Sequence, residues 1–472
     1  QLQDEPMAST LQRLSLNKCV RASSGTIGAL NALFRCTGSL QHLDLSHIPI
    51  GTKHQLSLCQ VVVRQPLLES LSLADTGLNG ALVGARCIRA LLLVEGGSSL
   101  RSLDLSWNTL DADSFTCLGE CVAASGSLRS LKIVNCSSTM QDGDTSLSHF
   151  LEQLSRDCSL TQLDVSVNRM DFRVALVMED ALQAHTKLKR IRLEDNPLGI
   201  LGMRSALRLL ADPRSAVMHL GTEGCFSGFD SQTKKVQTFN ATNPGGKYTL
   251  DLRRPYHRSL LRMLYRTSER VKLPPAETFQ ALTFSEGAFS HAAKSDSGVI
   301  QVPTSGKLSF YFDIAAAIKV GVSNIEDSDF AGFLRHHLFA TRVRPALKEA
   351  VPILAQWEEL KGRRKEQLIF LAALSKDFGL SVSWLENLCG ACPDVAEEVV
   401  IRLLPCLPCD QASLYMGLKL LRTAGRYLKI RHAILAFLEF NTDNPTGRYS
   451  LDLADCCQHA IAQRLFLLDR WE

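Results

Sequence analysis

Cys389, Cys392, Cys406 and Cys409 spell two CxxC pairs separated by 13 residues. Four thiolates at this spacing could close a tetrahedral structural zinc site, each CxxC turn supplying two ligands. The stretch between them, PDVAEEVVIRLLP, reads as a continuous amphipathic helix of about 20 Å at 1.5 Å per residue, which holds the pairs apart unless the chain folds back. The alternative is a set of helix-end thiols buried among Leu403, Leu404 and Leu407. No motif implies any other cofactor.

Arg254, Arg258, Arg262, Arg266 and Arg270 recur every fourth residue. Helix geometry places them on one slowly drifting stripe, opposite an apolar face formed by Leu260, Leu261, Leu264 and Tyr265. Paired N–H donors suit carboxylates and phosphates, so Arg258, Arg262 and Arg266 are candidates for holding an acidic or phosphorylated partner. A charge run on a helix is equally well a solvated face. Poor aromatic interleaving argues against nucleic acid as the partner.

Signatures of catalysis are missing: GxGxxG after a strand, a Gly-rich loop ending in GK[ST], HExxH and GxSxG do not occur. SGKLS at Ser305 has a Gly-Lys pair, but Leu308 follows where a metal-binding hydroxyl is needed. The chain is therefore expected not to be an enzyme.

Composition agrees with a multidomain globular chain. At 472 residues, 45% hydrophobic and 21% charged, it has material for about three domains. A net charge of +4 is too small to imply a nucleic-acid or membrane partner by itself. Fifteen scattered cysteines inside apolar patterns fit reduced thiols, hence a cytoplasmic or nuclear location. No secretory pattern opens the sequence, and no apolar run is long enough to span a bilayer.

The elements that would position these residues begin with a repeat. LRSLDLSWNTL at Leu100 has the form LxxLxLxxNxL, and the skeleton recurs at Leu11, Leu40, Leu68, Leu128, Leu160 and Leu188, with a worn copy at Val217. Successive starts lie 29, 28, 32, 28, 32, 28 and 29 residues apart. LxL puts two side chains on one face of a short strand. Asn108, Asn168 and Asn196, with Cys19 and Cys136 as substitutes, are placed to bond turn backbone. The rest of each unit has i, i+3, i+4 apolar spacing for an outer helix, and such units bury their faces only by stacking.

Residues 9–226 resemble leucine-rich repeats, and the period with its helical second half resembles the ribonuclease-inhibitor subfamily. That resemblance implies an α/β horseshoe solenoid of about eight strand–helix repeats whose concave strands bind partner proteins. Among the outward strand-face positions, only Trp107 with Lys132, Arg190 and Arg192 supplies the aromatic and cationic anchors that dominate protein interfaces. A plain solvated face is the alternative.

After Cys225 the period stops. KYTLDL, TFQALTF and KLSFYFDI read as strands and RPYHRSLLRMLYRTSERV as a helix, giving a small α+β module, while residues 329–438 read as helices with short breaks. FNATNPGGKYTLDL at Phe239 returns as FNTDNPTGRYSLDL at Phe440. The expected organisation is a solenoid over 1–228, the module over 229–328, helices over 329–438 and a truncated second copy over 439–472, continuing beyond Glu472 in the natural polypeptide. This order resembles uncharacterised leucine-rich-repeat proteins of protists. The expected function is a non-catalytic scaffold or adaptor. The alternative is a GTPase-activating protein, because ribonuclease-inhibitor-type repeats also build regulators of that kind.

Overall fold

A computed structural model describes residues 10–313 and 351–407, excepting 20–22, 79–80, 94–97, 138–144, 227–235, 242–243, 271, 288, 290–299 and 404–405; Ala462 and Leu465 aside, the remainder lies outside the description. The expected second copy over 439–472, Cys409, and the helices expected over 329–350 and 408–438 fall there.

Three-residue strands recur once per repeat: β1 (Arg13–Ser15), β2 (His42–Asp44), β3 (Ser70–Ser72), β4 (Ser102–Asp104), β5 (Ser130–Lys132), β6 (Gln162–Asp164), β7 (Arg190–Arg192) and β8 (His219–Gly221). They form one sheet in chain order, with the seven neighbouring pairs parallel. Between them run α1 (Ser24–Cys36), α2 (Thr52–Val62), α3 (Ala81–Leu92), α4 (Ala112–Ser125), α5 (Leu147–Gln153), α6 (Phe172–Leu182) and, before β8, α7 (Gly199–Ala211). The strand-centre residues Leu43, Leu71, Leu103, Leu131, Leu163, Ile191 and Leu220 are each at most 2% exposed, which is why each strand needs its neighbouring repeats. Where α4 meets α5 the approach requires glycine: a Cβ on Gly119 would lie 2.5 Å from Gln153 Cβ.

From β3 onward the turn after each strand is locked by a buried side chain. Asn168 Nδ2 donates to the carbonyls of Ile133 (2.7 Å) and Val165 (2.9 Å), while its Oδ1 accepts from the N–H groups of Cys136 (2.9 Å) and Ser137 (2.8 Å). Asn108 and Asn196 repeat the pattern on their own neighbours. At the same repeat position Thr76 donates to the Leu73 carbonyl (2.8 Å), Cys136 to Leu105 (3.2 Å) and Cys225 to Leu193 (2.9 Å). The hydroxyl and thiol replace only the donor half of the amide. The residue just before this position is left-handed in every repeat: Lys18, His47, Asp75, Trp107, Asn135, Val167 and Asp195 have φ between 51° and 62°, and Gly224 has φ 72°.

By clustering of Cα positions the chain divides into two compact units. One comprises Gln1–Lys235, Leu250–Met263 and Ser285–Lys307; the other comprises Val236–Thr249, Leu264–Phe284 and Leu308–Glu472. The residues expected to form one module over 229–328 are thus distributed over both. In the first unit the helix α8 (Pro255–Arg270) contributes its residues up to Met263.

A three-stranded sheet is formed by β9 (Gly246–Asp251), β10 (Phe279–Phe284) and β11 (Lys307–Phe312), in the order β10-β11-β9, and all of it but Leu250, Asp251 and Lys307 belongs to the second unit. Aromatic packing fills it: Tyr248 stacks on Phe310 at 5.5 Å, and Phe279 meets Tyr265 at 4.6 Å and Phe312 at 5.1 Å. The Tyr248 hydroxyl donates to the Pro244 carbonyl at 2.7 Å, tying down the loop of the repeated phrase. Four helices follow the short α9 (Pro275–Thr278): α10 (Val351–Glu359), α11 (Arg364–Asp377), α12 (Val382–Ala391) and α13 (Ala396–Leu403). Trp357 is fully buried there, with Nε1 donating to the Leu388 carbonyl at 3.0 Å. The helix expected over PDVAEEVVIRLLP begins instead as a 3₁₀ turn, Pro393–Val395, before α13.

Asn168→Ala removes the amide from the N–H groups of Cys136 and Ser137 and from the Ile133 carbonyl, while the Val165 carbonyl keeps Asn196 Nδ2. At about 1–3 kcal/mol for each group left unsatisfied, and with partial relaxation, urea unfolding is expected to show a loss of about 3 kcal/mol; a change below about 1 kcal/mol would contradict this role. Val167→Asn, which puts a residue tolerant of the left-handed region at φ 59° in place of a β-branched one, is expected to stabilise by about 1 kcal/mol in the same assay.

Candidate functional site

The three described cysteines of the CxxC pairs are not gathered. The Cys389 Sγ approaches the Ala396 carbonyl at 3.8 Å, Cys392 the Trp357 carbonyl at 3.8 Å, and Cys406 the Ser375 carbonyl at 3.5 Å. Burial pushes the Cys389 thiol up to about 11 and raises that of Cys392, so both are protonated donors near neutrality. Among the described residues no cluster of three or more His, Cys, Asp or Glu side chains could hold a metal. The physical reason is that α12 and α13 put these thiols into their own packing, each against a separate carbonyl.

Arg258 and Arg262 are not on a solvated stripe: they are 7% and 8% exposed. Arg258 forks onto both carboxylate oxygens of Glu152, with Nε 2.8 Å from Oε1, and its Nη1 donates to the Leu252 carbonyl at 2.6 Å. Arg262 Nε donates to Asp180 Oδ2 at 2.6 Å, and its Nη2 to Glu152 Oε1 at 2.8 Å. Glu152 belongs to α5 and Asp180 to α6. The acidic surface expected of a partner is thus supplied by the repeats of the same chain, which corrects the assignment of these two arginines to an outside partner. Phe172 reinforces the contact edge-on to Tyr256 at 6.1 Å. Arg266 lies in the other unit and is half-buried. Burial would raise the Glu152 carboxyl, but the Arg258 hydrogen bond and the charges of Arg262 and Arg258 outweigh it and hold it below its ordinary value.

The remaining candidates share the outer face of the parallel sheet. Register aligns Ser72, Asp104, Lys132, Asp164 and Arg192 in one row across β3 to β7, and Ser102, Ser130, Gln162 and Arg190 in another. The acidic members are largely committed within the sheet. Asp44 and Asp104 each accept the N–H two residues on, at 2.9 Å, and Asp164 accepts both the N–H and hydroxyl of Ser166. At Asp44 burial raises the carboxyl, but bonds from Ser46 and Ser15 leave it below its usual value. Arg192 sits between Glu194 (3.0 Å) and Asp164 (3.3 Å), and the Ser166 hydroxyl, 2.7 Å from Asp164 Oδ1 and 2.6 Å from Glu194 Oε2, has one proton to share between the two carboxylates.

Lys132 and Arg190 are exposed and make no ion pair among the described residues. Trp107 is 55% exposed, on the left-handed turn after β4, where its N–H donates to the Val134 carbonyl at 2.7 Å. Two members of this surface were not singled out from sequence. Lys189 and Met218 occupy the position just before their strands, both exposed, and Met218 N–H donates to the Lys189 carbonyl at 2.9 Å. Aligning repeats one residue ahead of LxL would have found them.

No protein-family model matches the chain. A stretch of 198 residues, 41% of the chain, is 28% identical to the Tonsoku-like protein of Danio rerio. A stretch of 242 residues, 50% of the chain, is 25% identical to the NACHT, LRR and PYD domains-containing protein 14 of Homo sapiens. The chain is similar to only 13% and 18% of the lengths of these two proteins. With eight parallel strands in chain order and, among the described residues, seven helices between them, it is of the leucine-rich-repeat type. No described helix is long and apolar enough to cross a membrane.

Glu152→Gln keeps the shape but leaves two buried guanidinium groups facing a neutral amide, so at pH 7 it is expected to cost about 3 kcal/mol. Because the Glu152 carboxyl sits below its reference value of 4.5, its contribution is complete above that pH and is lost as pH falls through the lowered folded value. The gap between wild type and variant in urea unfolding should therefore shrink below about pH 4.5. A gap that is the same at pH 7 and at pH 3 would rule this out.

Proposed function

We propose that the chain is a non-catalytic interaction module that holds a partner protein on the strand face of its repeats, between β4 and β7. The observation that carries this is Trp107. An indole 55% exposed on left-handed backbone adds little to the core and strains its turn, so its value lies in what it contacts outside. Exposed Lys132 on β5 and Arg190 on β7 supply the polar rim. Similarity to a protein named for its LRR segment agrees with a protein partner.

The finer features belong to the same proposal. The repeats are of the ribonuclease-inhibitor kind and curve as a horseshoe with this face concave. The twelve described cysteines are all unbridged, which favours a reducing compartment, cytoplasmic or nuclear. The GTPase-regulating alternative has only the repeat type behind it.

Affinity capture from native lysate, read by mass spectrometry, tests the reading. Proteins retained by the wild-type chain are expected to fall at least tenfold with Trp107→Ala and with Arg190→Glu, while the urea midpoint of each variant stays within error. Retention that both substitutions leave unchanged would place the interaction elsewhere.

A further inference from the structure

From the charge layout of the strand face we infer the chemistry of the occupant: a short, extended acidic peptide segment, its carboxylates on Lys132 and Arg190 and an apolar side chain on Trp107. This rests on the interaction reading above and specifies its partner.

The face changes sign along the stack. The side toward β2 to β4 carries Asp44, Asp75 and Asp104; the side toward β5 to β7 carries Lys132, Lys189, Arg190 and Arg192. Internal pairing cancels only part of the second group. Asp164 and Glu194 are spent on Arg192 and Ser166, leaving Lys132, Lys189 and Arg190 exposed and without an ion pair among the described residues. Asp195, in the same turn row as Asp75 and Trp107, sets one exposed carboxylate beside β7, and Glu223 lies beyond β8, so three cations without an ion pair still outnumber the carboxylate next to them.

Dimensions then limit the occupant. From β4 to β7 there are three strand spacings, about 14 Å at 4.7–4.9 Å each, which an extended peptide covers with about four to five residues at 3.3–3.6 Å per residue. Lys132 and Arg190 are two strands apart and offset by two residues along them, about 12 Å in all, so carboxylates about three to four residues apart reach both. Gln162, exposed on the strand between them, offers an amide donor and acceptor to the peptide backbone. The sheet's own N–H and C=O groups are engaged in the parallel ladder, so recognition runs through side chains and not through an added strand. A nucleic-acid backbone fits less well. Continued past Trp107, a regular polyanion would meet Asp104 and Asp75, whereas a segment of about four to five residues ends before them.

The test is selection of a random nonapeptide display library on the full 472-residue chain, followed by fluorescence-anisotropy titration of the enriched peptides. Expected are peptides with two Asp or Glu about three to four residues apart and a neighbouring Leu, Ile, Phe or Trp. Their affinity should fall at least tenfold with Lys132→Glu, Arg190→Glu or Trp107→Ala. Peptides with Lys in place of Glu should regain affinity for the charge-reversed chain, a rescue that an unfolded variant cannot give. Enriched peptides that need Trp107 and Arg190 but are neutral or basic would overturn the acidic occupant and leave the interaction reading standing. Peptides indifferent to all three substitutions, or no enrichment, would overturn both. Tighter binding of a single-stranded oligonucleotide than of any acidic peptide, lost with Arg190→Glu, would assign the face to nucleic acid and overturn the peptide.

Discussion

A backbone polar group left unpaired inside a repeat stack is costly, and the first half of the chain is organised around meeting that demand. Each strand is only three residues long and each turn between strand and helix runs inward, where water does not reach its N–H and C=O groups. From the third repeat onward one side chain per repeat supplies the missing partners. The amide of Asn168 meets four backbone groups belonging to two successive repeats. Because every such amide bridges to the preceding turn, the spacing of the strands follows from the hydrogen bonds as much as from the leucines. Thr76, Cys136 and Cys225 do the donor half of the job, and Asn108, Asn168 and Asn196 stand beside or between them.

The same demand, applied to charge, explains the arginine helix. Two guanidinium groups that are less than a tenth exposed need counter-charges within hydrogen-bond reach. Glu152 and Asp180, on successive outer helices of the repeats, provide them. Where the first copy of the repeated phrase is followed by Arg258 and Arg262, the second has His459 and Gln463. A neutral pair at those positions would leave Glu152 and Asp180 without cations, so the arginines mark which copy suits these repeats.

Much of this was legible beforehand, for physical reasons that differ by element. The strand rows followed from LxL because a period of two on a three-residue strand leaves one way to bury both leucines. The inward Asn and Cys positions followed because they recur with the period. Burial of Arg258 and Arg262 was not legible: a row of cations every fourth residue looks alike whether it faces water or carboxylates 82 to 110 residues away in sequence. The cysteine spacing misled for the opposite reason, since CxxC records proximity along the chain while the thiols of α12 and the turn after α13 answer to separate carbonyls. At the strand face the anchors were visible as residue types, but which cations had their charge already matched, as Arg192 does, required the rows to be set side by side.

The left-handed residue before each inward side chain has one further consequence. Its backbone is fixed by the turn, yet its side chain takes no part in fixing it, and across successive repeats that place holds Lys18, His47, Asp75, Trp107, Asn135, Val167 and Asp195. The array therefore separates the residues that keep the spacing from those that display chemistry, as a ruler separates its graduations from the labels written beside them. A new label can be tried at one mark without redrawing the scale.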